Sequence, residues 1–214
     1  MVQFQRLSIN GYNDLTVPYT KITSDKPSAK LAIILPGLGY TAQAPLLFYA
    51  TSVYSKRGFD VLQINYQYNT SDYDSFTQEE LSTAIQSDVR TVIDRTLTAT
   101  AYSEICLIGK SLGTIAIASE LKRDFTQSVK AVWLTPLLQR EDVTDAILQS
   151  KIPGLCIIGD KDPCFIKERF QMLLSVANLT FMLIPNADHS LDLAGDITGS
   201  IEILKKVVNE LEKF

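Results

Sequence analysis

The chain has 214 residues, with 20 basic against 24 acidic side chains, three cysteines and a single histidine. A net charge of −4 offers no basic face to a phosphate backbone, which sets nucleic acid aside as a partner. No apolar run approaches the roughly 20 residues that span a bilayer, and Met1–Asn10 (MVQFQRLSIN) lacks the apolar stretch of a secretory leader, so the expectation is a soluble, cytoplasmic protein with no membrane partner.

Strands alternate with helices along the whole chain. Val2–Leu7 and Leu15–Thr20 alternate weakly around an Asn10-Gly11 turn signal and are expected to form an antiparallel hairpin. Lys30–Leu35 (KLAIIL) is a nearly continuous apolar run, the mark of a strand covered on both faces. A helix is expected over Ala44–Lys56, stopping at Gly58, followed by a strand over Asp60–Tyr66. After the polar loop Asn69–Phe76, Thr77 caps a long helix from Gln78 to about Leu97, with Glu80 as its capping-box partner.

The second half keeps the rhythm. Glu104–Ile108 is a strand, and Leu112–Arg123 a helix apolar nearly all round for two turns, hence deeply buried. Strands follow over Val129–Leu134, Leu155–Ile158 and Thr180–Ile184, and helices over Asp142–Gln149, Ile166–Val176 and Ile197–Lys213. This pattern predicts one α/β domain over residues 1–214, a doubly wound, mostly parallel sheet with the hairpin as an antiparallel edge and helices on both faces. Cys106 and Cys156 fall in apolar runs and Cys164 elsewhere, a scattered odd set that suits a reducing compartment. No Cys-x-x-Cys or His/Cys cluster is present, so no structural zinc site is expected.

In doubly wound sheets chemistry collects at the carboxyl ends of the strands. Four of those ends carry Pro36-Gly37-Leu38-Gly39, Gly109-Lys110-Ser111-Leu112-Gly113, Gly159-Asp160-Lys161-Asp162-Pro163 and Pro185-Asn186-Ala187-Asp188-His189. Gly109-x-Ser111-x-Gly113 fits a nucleophile elbow, a sharp strand-to-helix turn that lifts the serine Oγ above the sheet. Side chains at the flanking glycines would strike neighbouring backbone, and the helix start places a positive dipole end where an oxyanion would form. Gly109-Lys110-Ser111 is also the tail of a phosphate-binding loop, but that motif needs a glycine at position 104, where the chain has Glu104. The plain alternative, a serine that merely turns the chain, weakens once the other strand ends are counted.

A serine needs a base with a pKa near neutrality, and His189 is the only imidazole on offer. Asp162 is placed to orient it, with Asp160 as the competitor that could instead close the turn on backbone amides. Asp188 is a poor orienter, because adjacent side chains on an extended loop diverge.

The chain order Ser111, Asp162, His189 resembles that of the α/β-hydrolase superfamily, in its small cap-less esterase-like form. The resemblance runs from about Lys30 to the C-terminus. Ile34–Gly39 resembles the oxyanion turn, Arg57–Val61 the lead into the next strand, Gly159–Pro163 the acid turn and Ala187–His189 the histidine loop. It implies backbone N–H donors at Leu38 and Leu112 for an oxyanion, and it implies neither cofactor nor metal. One departure is Pro36-Gly37 where the family often has His-Gly.

Only six residues, Thr135–Arg140, separate a strand from the next helix where many relatives insert a lid. An open cleft is therefore expected, bordered by Leu38, Tyr40, Tyr66, Tyr68, Leu137 and Phe165, although the aromatics could equally be rim packing. Lys110 is expected to point away from the cleft, as a surface charge or one behind the reacting groups. Cys164 is expected to be a passive small hydrophobe. The functional expectation is a serine hydrolase acting on a small-molecule ester or thioester. The alternative is a relative of the same fold that binds a ligand or partner without turnover.

Overall fold

The computed structural model describes residues 2–214. Eight strands and six α-helices are present among them: β1 (Val2–Asn10), β2 (Thr16–Ser24), β3 (Lys30–Leu35), α1 (Pro45–Lys56), β4 (Asp60–Ile64), α2 (Gln78–Ala99), β5 (Glu104–Lys110), α3 (Gly113–Glu120), β6 (Ser128–Leu134), α4 (Glu141–Leu148), β7 (Gly154–Gly159), α5 (Lys167–Leu173), β8 (Leu179–Ile184) and α6 (Ile197–Lys213). The strands form one sheet in the order β1-β2-β4-β3-β5-β6-β7-β8. From β4 to β8 every neighbouring pair is parallel, while β1–β2 and β2–β4 are antiparallel.

Alternation along each buried strand feeds two cores. Leu31, Ile33 and Leu35 of β3 pack with α2, α3, α4 and α5, whereas Ala32 and Ile34 face the side covered by α1 and α6. The helix α3 is buried along its whole length, as its apolar sequence requires. The capping box forms as expected: the Glu80 amide donates to Thr77 Oγ1 at 3.2 Å and the Thr77 amide donates to Glu80 Oε2 at 2.7 Å.

The hairpin forms as expected, its strands pairing from Val2↔Ser24 to Asn10↔Thr16 and its connection running from Gly11 through a 3-10 turn over Tyr12–Asp14. The Asp88 carboxylate on α2 accepts the Tyr12 amide at 2.6 Å and holds this loop on the helix. Gly11 is needed there because a Cβ would run into Asp88 and Val17. The strand expected over Asp60–Tyr66 ends at Ile64; Asn65 turns its amide to the Pro18 carbonyl at 2.8 Å and Tyr66 folds toward the site.

Candidate active site

The turn between β5 and α3 holds Ser111 at φ +51°, in the left-handed region that a side chain adopts at a cost on the order of 1 kcal/mol or more. Hydrogen bonds fix it there. The Ser111 amide donates to Leu134 O at 3.0 Å, and its carbonyl accepts the Thr114 amide at 2.9 Å and Thr114 Oγ1 at 2.6 Å. The flanking glycines are obligatory. A Cβ on Gly109 would stand 2.8 Å from Gly113 O, and one on Gly113 would overlap Leu35 O.

Loops from three strand ends meet at this serine. His189, in the loop after β8, sets its Nε2 2.8 Å from Ser111 Oγ. Its Nδ1 lies 2.8 Å from both carboxylate oxygens of Asp162, whose side chain is completely buried. Asp162 Oδ1 also accepts the Cys164 amide at 2.7 Å, which locks the carboxylate plane. The other two acids are engaged elsewhere. Asp160 Oδ1 accepts the Asn186 amide at 2.7 Å, and Asp188 Oδ1 accepts the amides of Ser190 at 2.7 Å and Asp192 at 3.1 Å.

The turn after β3 lies against the elbow: a Cβ on Gly37 would sit 3.2 Å from Ser111 Cβ. Tyr66 holds this turn from below, its hydroxyl donating to Pro36 O at 2.7 Å. Among the described residues the Leu38 and Leu112 amides, the two expected donors, find no protein acceptor.

The expected cleft border is only partly correct. Tyr68 is not on it: the ring is buried, stacked 4.9 Å from Tyr66, and its hydroxyl donates to Asp88 Oδ2 at 2.7 Å. Tyr66 is also buried, reaching only the wall of a cleft of about 200 Å³ that includes Gly37, Gly39, Tyr40 and Asn69. Tyr40 is half-buried, its hydroxyl accepting the Leu46 amide at 3.0 Å, and burial pushes its phenol up to about 12. Leu137 and Phe165 are half-buried against the core, and Leu38 is exposed.

Lys110 takes the second of its two expected places, behind the reacting groups and not at the surface. It is only 2% exposed, with Nζ 3.0 Å from the His189 carbonyl, 3.3 Å from Thr135 Oγ1 and 4.4 Å from the centre of the Tyr40 ring. Desolvation lowers its pKa to about 8, while the charges of Asp162, Asp188 and Asp192 act to raise it. The signal for this burial was its position in the apolar run of β5, directly before the serine. Cys164 is half-buried, and burial followed by the Asp162 charge pushes its thiol up to about 11. Asp162, Cys164 and His189 bring donor atoms within 4.8 Å of one another, the one grouping of metal-binding residue types among the described residues. Asp162 and His189 spend these atoms on each other, and a thiol that holds its proton so firmly is a poor ligand.

Residues 29–214 match the family model for an alpha/beta hydrolase domain, and the chain belongs to that family. Among solved structures, an α/β serine hydrolase homologue from Coxiella burnetii superposes with a TM-score of 0.73 at 16% identity, covering 97% of each chain. A Xanthomonas campestris protein described as an α/β serine hydrolase without lid gives 0.72 at 16% identity, covering 99% of this chain and 93% of that one. A cold-adapted esterase from an Arctic intertidal metagenomic library gives 0.72 at 15% identity, covering 99% and 94%. No curated protein sequence matches the chain. The lid is absent here too: six residues join β6 to α4. No described helix is long and apolar enough to cross a membrane.

Proposed function

We propose that this α/β hydrolase cleaves small carboxylic esters or thioesters through Ser111, His189 and Asp162. The observation that carries the reading is the unbroken chain of contacts from Ser111 Oγ through both imidazole nitrogens to the Asp162 carboxylate, each 2.8 Å long. Asp162 accepts Nδ1–H and so leaves Nε2 free to take the serine proton. As Oγ attacks the acyl carbon, the imidazolium forms against a buried carboxylate, and the carbonyl oxygen gains negative charge at the start of α3. The free amides of Leu38 and Leu112 are the donors for that oxyanion. The imidazolium then protonates the leaving alcohol or thiol. Water, activated by the same nitrogen, releases the acid and regenerates the serine.

The short β6–α4 connection supports a small substrate, since nothing folds over the serine to enclose a long acyl chain. The esterase description of a structural neighbour points the same way. Every catalytic part is a side chain or backbone amide, so the reaction as proposed needs no cofactor. A fluorophosphonate probe tests the reading directly. The wild type should be labelled and Ser111→Ala should not; labelling of the variant at the wild-type rate would overturn the assignment.

A further inference from the structure

Lys110 immediately precedes the proposed nucleophile, yet the mechanism above does not use it. Its ammonium is buried where no carboxylate forms an ion pair with it among the described residues. Removing a charge from water without such a partner is costly. What the ammonium does have is three partners from three separate loops. It donates to His189 O in the loop after β8 and to Thr135 Oγ1 at the end of β6, and its remaining side faces the Tyr40 ring in the turn after β3. Thr135 is itself held at φ +44°, with its amide donating to Ile157 O at 2.7 Å, so the backbone that carries its hydroxyl is anchored.

We propose that Lys110 is a positioning residue: its buried ammonium ties the backbone of His189 to the nucleophile turn and so holds the imidazole in register with Ser111. The argument rests on the catalytic reading of Ser111 and His189. Lys110 and Ser111 are neighbours in the chain, whereas Lys110 and His189 are 79 residues apart, so one side chain links the segments that carry the two reacting groups. The ring nitrogens of His189 are occupied by Asp162 and Ser111, but those contacts orient the ring only if the loop beneath it stays in place. A clamp at the His189 carbonyl supplies that constraint directly.

The clamp has a built-in dependence on pH. The groups facing the ammonium are Tyr40 and Thr135, Asp162 and Cys164 from the loop after β7, and Asp188, His189 and Asp192 from the loop after β8. Below about 8 the ammonium is charged and its hydrogen bonds are charge-assisted; above it the neutral amine makes weaker ones. Turnover should therefore show an alkaline limb.

The test is Lys110→Met, which keeps the length and apolar stem and removes the charge and donors. On p-nitrophenyl acetate, with the spontaneous rate subtracted, kcat should fall by on the order of 10²-fold with KM within about twofold, since the loss is one of alignment. The alkaline limb of the wild type should vanish in the variant. His189 is the only histidine, so its ring signals in NMR need no assignment, and the hydrogen-bonded Nδ1 proton should broaden or shift in Lys110→Met. Wild-type kcat together with an unchanged ring spectrum in the variant overturns the proposal. Where Lys110→Met gives no cooperative melt, Thr135→Val decides: it deletes one acceptor and should lower kcat several-fold at constant KM. Unchanged kcat in Thr135→Val and no alkaline limb in the wild type would also overturn it. A wild type that neither turns over ester nor takes the fluorophosphonate defeats the hydrolase reading instead, and the ring spectra of the two proteins then decide the positioning role alone.

Discussion

Replacing Asp162 by asparagine changes one oxygen to an amide nitrogen, and the surrounding hydrogen bonds decide which one. Oδ1 accepts the Cys164 backbone amide at 2.7 Å, and that donor cannot turn away because the chain fixes it. In Asp162→Asn the carbamoyl oxygen stays on the Cys164 amide, and the NH₂ group takes the Oδ2 position, 2.8 Å from His189 Nδ1. An NH₂ there favours the tautomer in which Nδ1 accepts and Nε2 carries the proton, so the nitrogen 2.8 Å from Ser111 Oγ loses its role as a base. In the serine-protease template the wrong tautomer costs about 10⁴ in turnover, roughly 5.5 kcal/mol of transition-state stabilisation. We expect a loss of that order in kcat on p-nitrophenyl acetate with KM little changed, because the ground-state complex does not use the base. Asp160→Ala is the matched control. It removes only the bond to the Asn186 amide, and should cost about 1 kcal/mol of stability, or roughly 2–4 °C in Tm, with turnover near normal. If Asp160→Ala abolished turnover and Asp162→Asn retained it, the tautomer argument would be refuted, though the Ser111–His189 contact would stand.

Three further outcomes are expected. Ser111→Ala should lose a factor of about 10³ or more in turnover while its thermal melt stays close to wild type, because the turn is held by backbone and Thr114 bonds that the hydroxyl does not make. Incubation with EDTA should leave the rate unaffected; loss of activity restored by zinc or magnesium would show that a metal takes part. Gly113→Ala should destabilise by about 3 kcal/mol or more, seen as a Tm drop of roughly 10 °C, since the added Cβ overlaps the Leu35 carbonyl and neither backbone can yield. A melt within a degree or two of wild type would mean the turn has room that the geometry denies it.

Much of this fold could be read from the chain because its determinants are local. The apolar run of Lys30–Leu35 and the spacing of Ile197–Lys213 mark β3 and α6 with their observed bounds. Thr77 with Glu80 marks the start of α2, and the two glycines flanking Ser111 mark the tight turn. What escaped reading depends on partners far along the chain. The shape of the hairpin loop after Gly11 depends on Asp88, which captures the Tyr12 amide from 76 residues away. The same carboxylate draws Tyr68 inward, although a tyrosine after a strand end resembles a cleft residue. Which of its two expected places Lys110 takes is decided only when the loops bearing Tyr40, Thr135 and His189 are brought around it.

The six-residue link between β6 and α4 has a kinetic consequence for the proposed reaction. In lidded hydrolases a moving segment often limits turnover and shelters the covalent intermediate from solvent. Here no such segment has to open before product leaves, so kcat should be insensitive to solvent viscosity and set by the chemical steps. The acyl group on Ser111 also meets whatever nucleophile the solution contains. In the presence of a short alcohol the enzyme should divide its acyl groups between water and the alcohol, turning from hydrolysis to transesterification as the alcohol concentration rises.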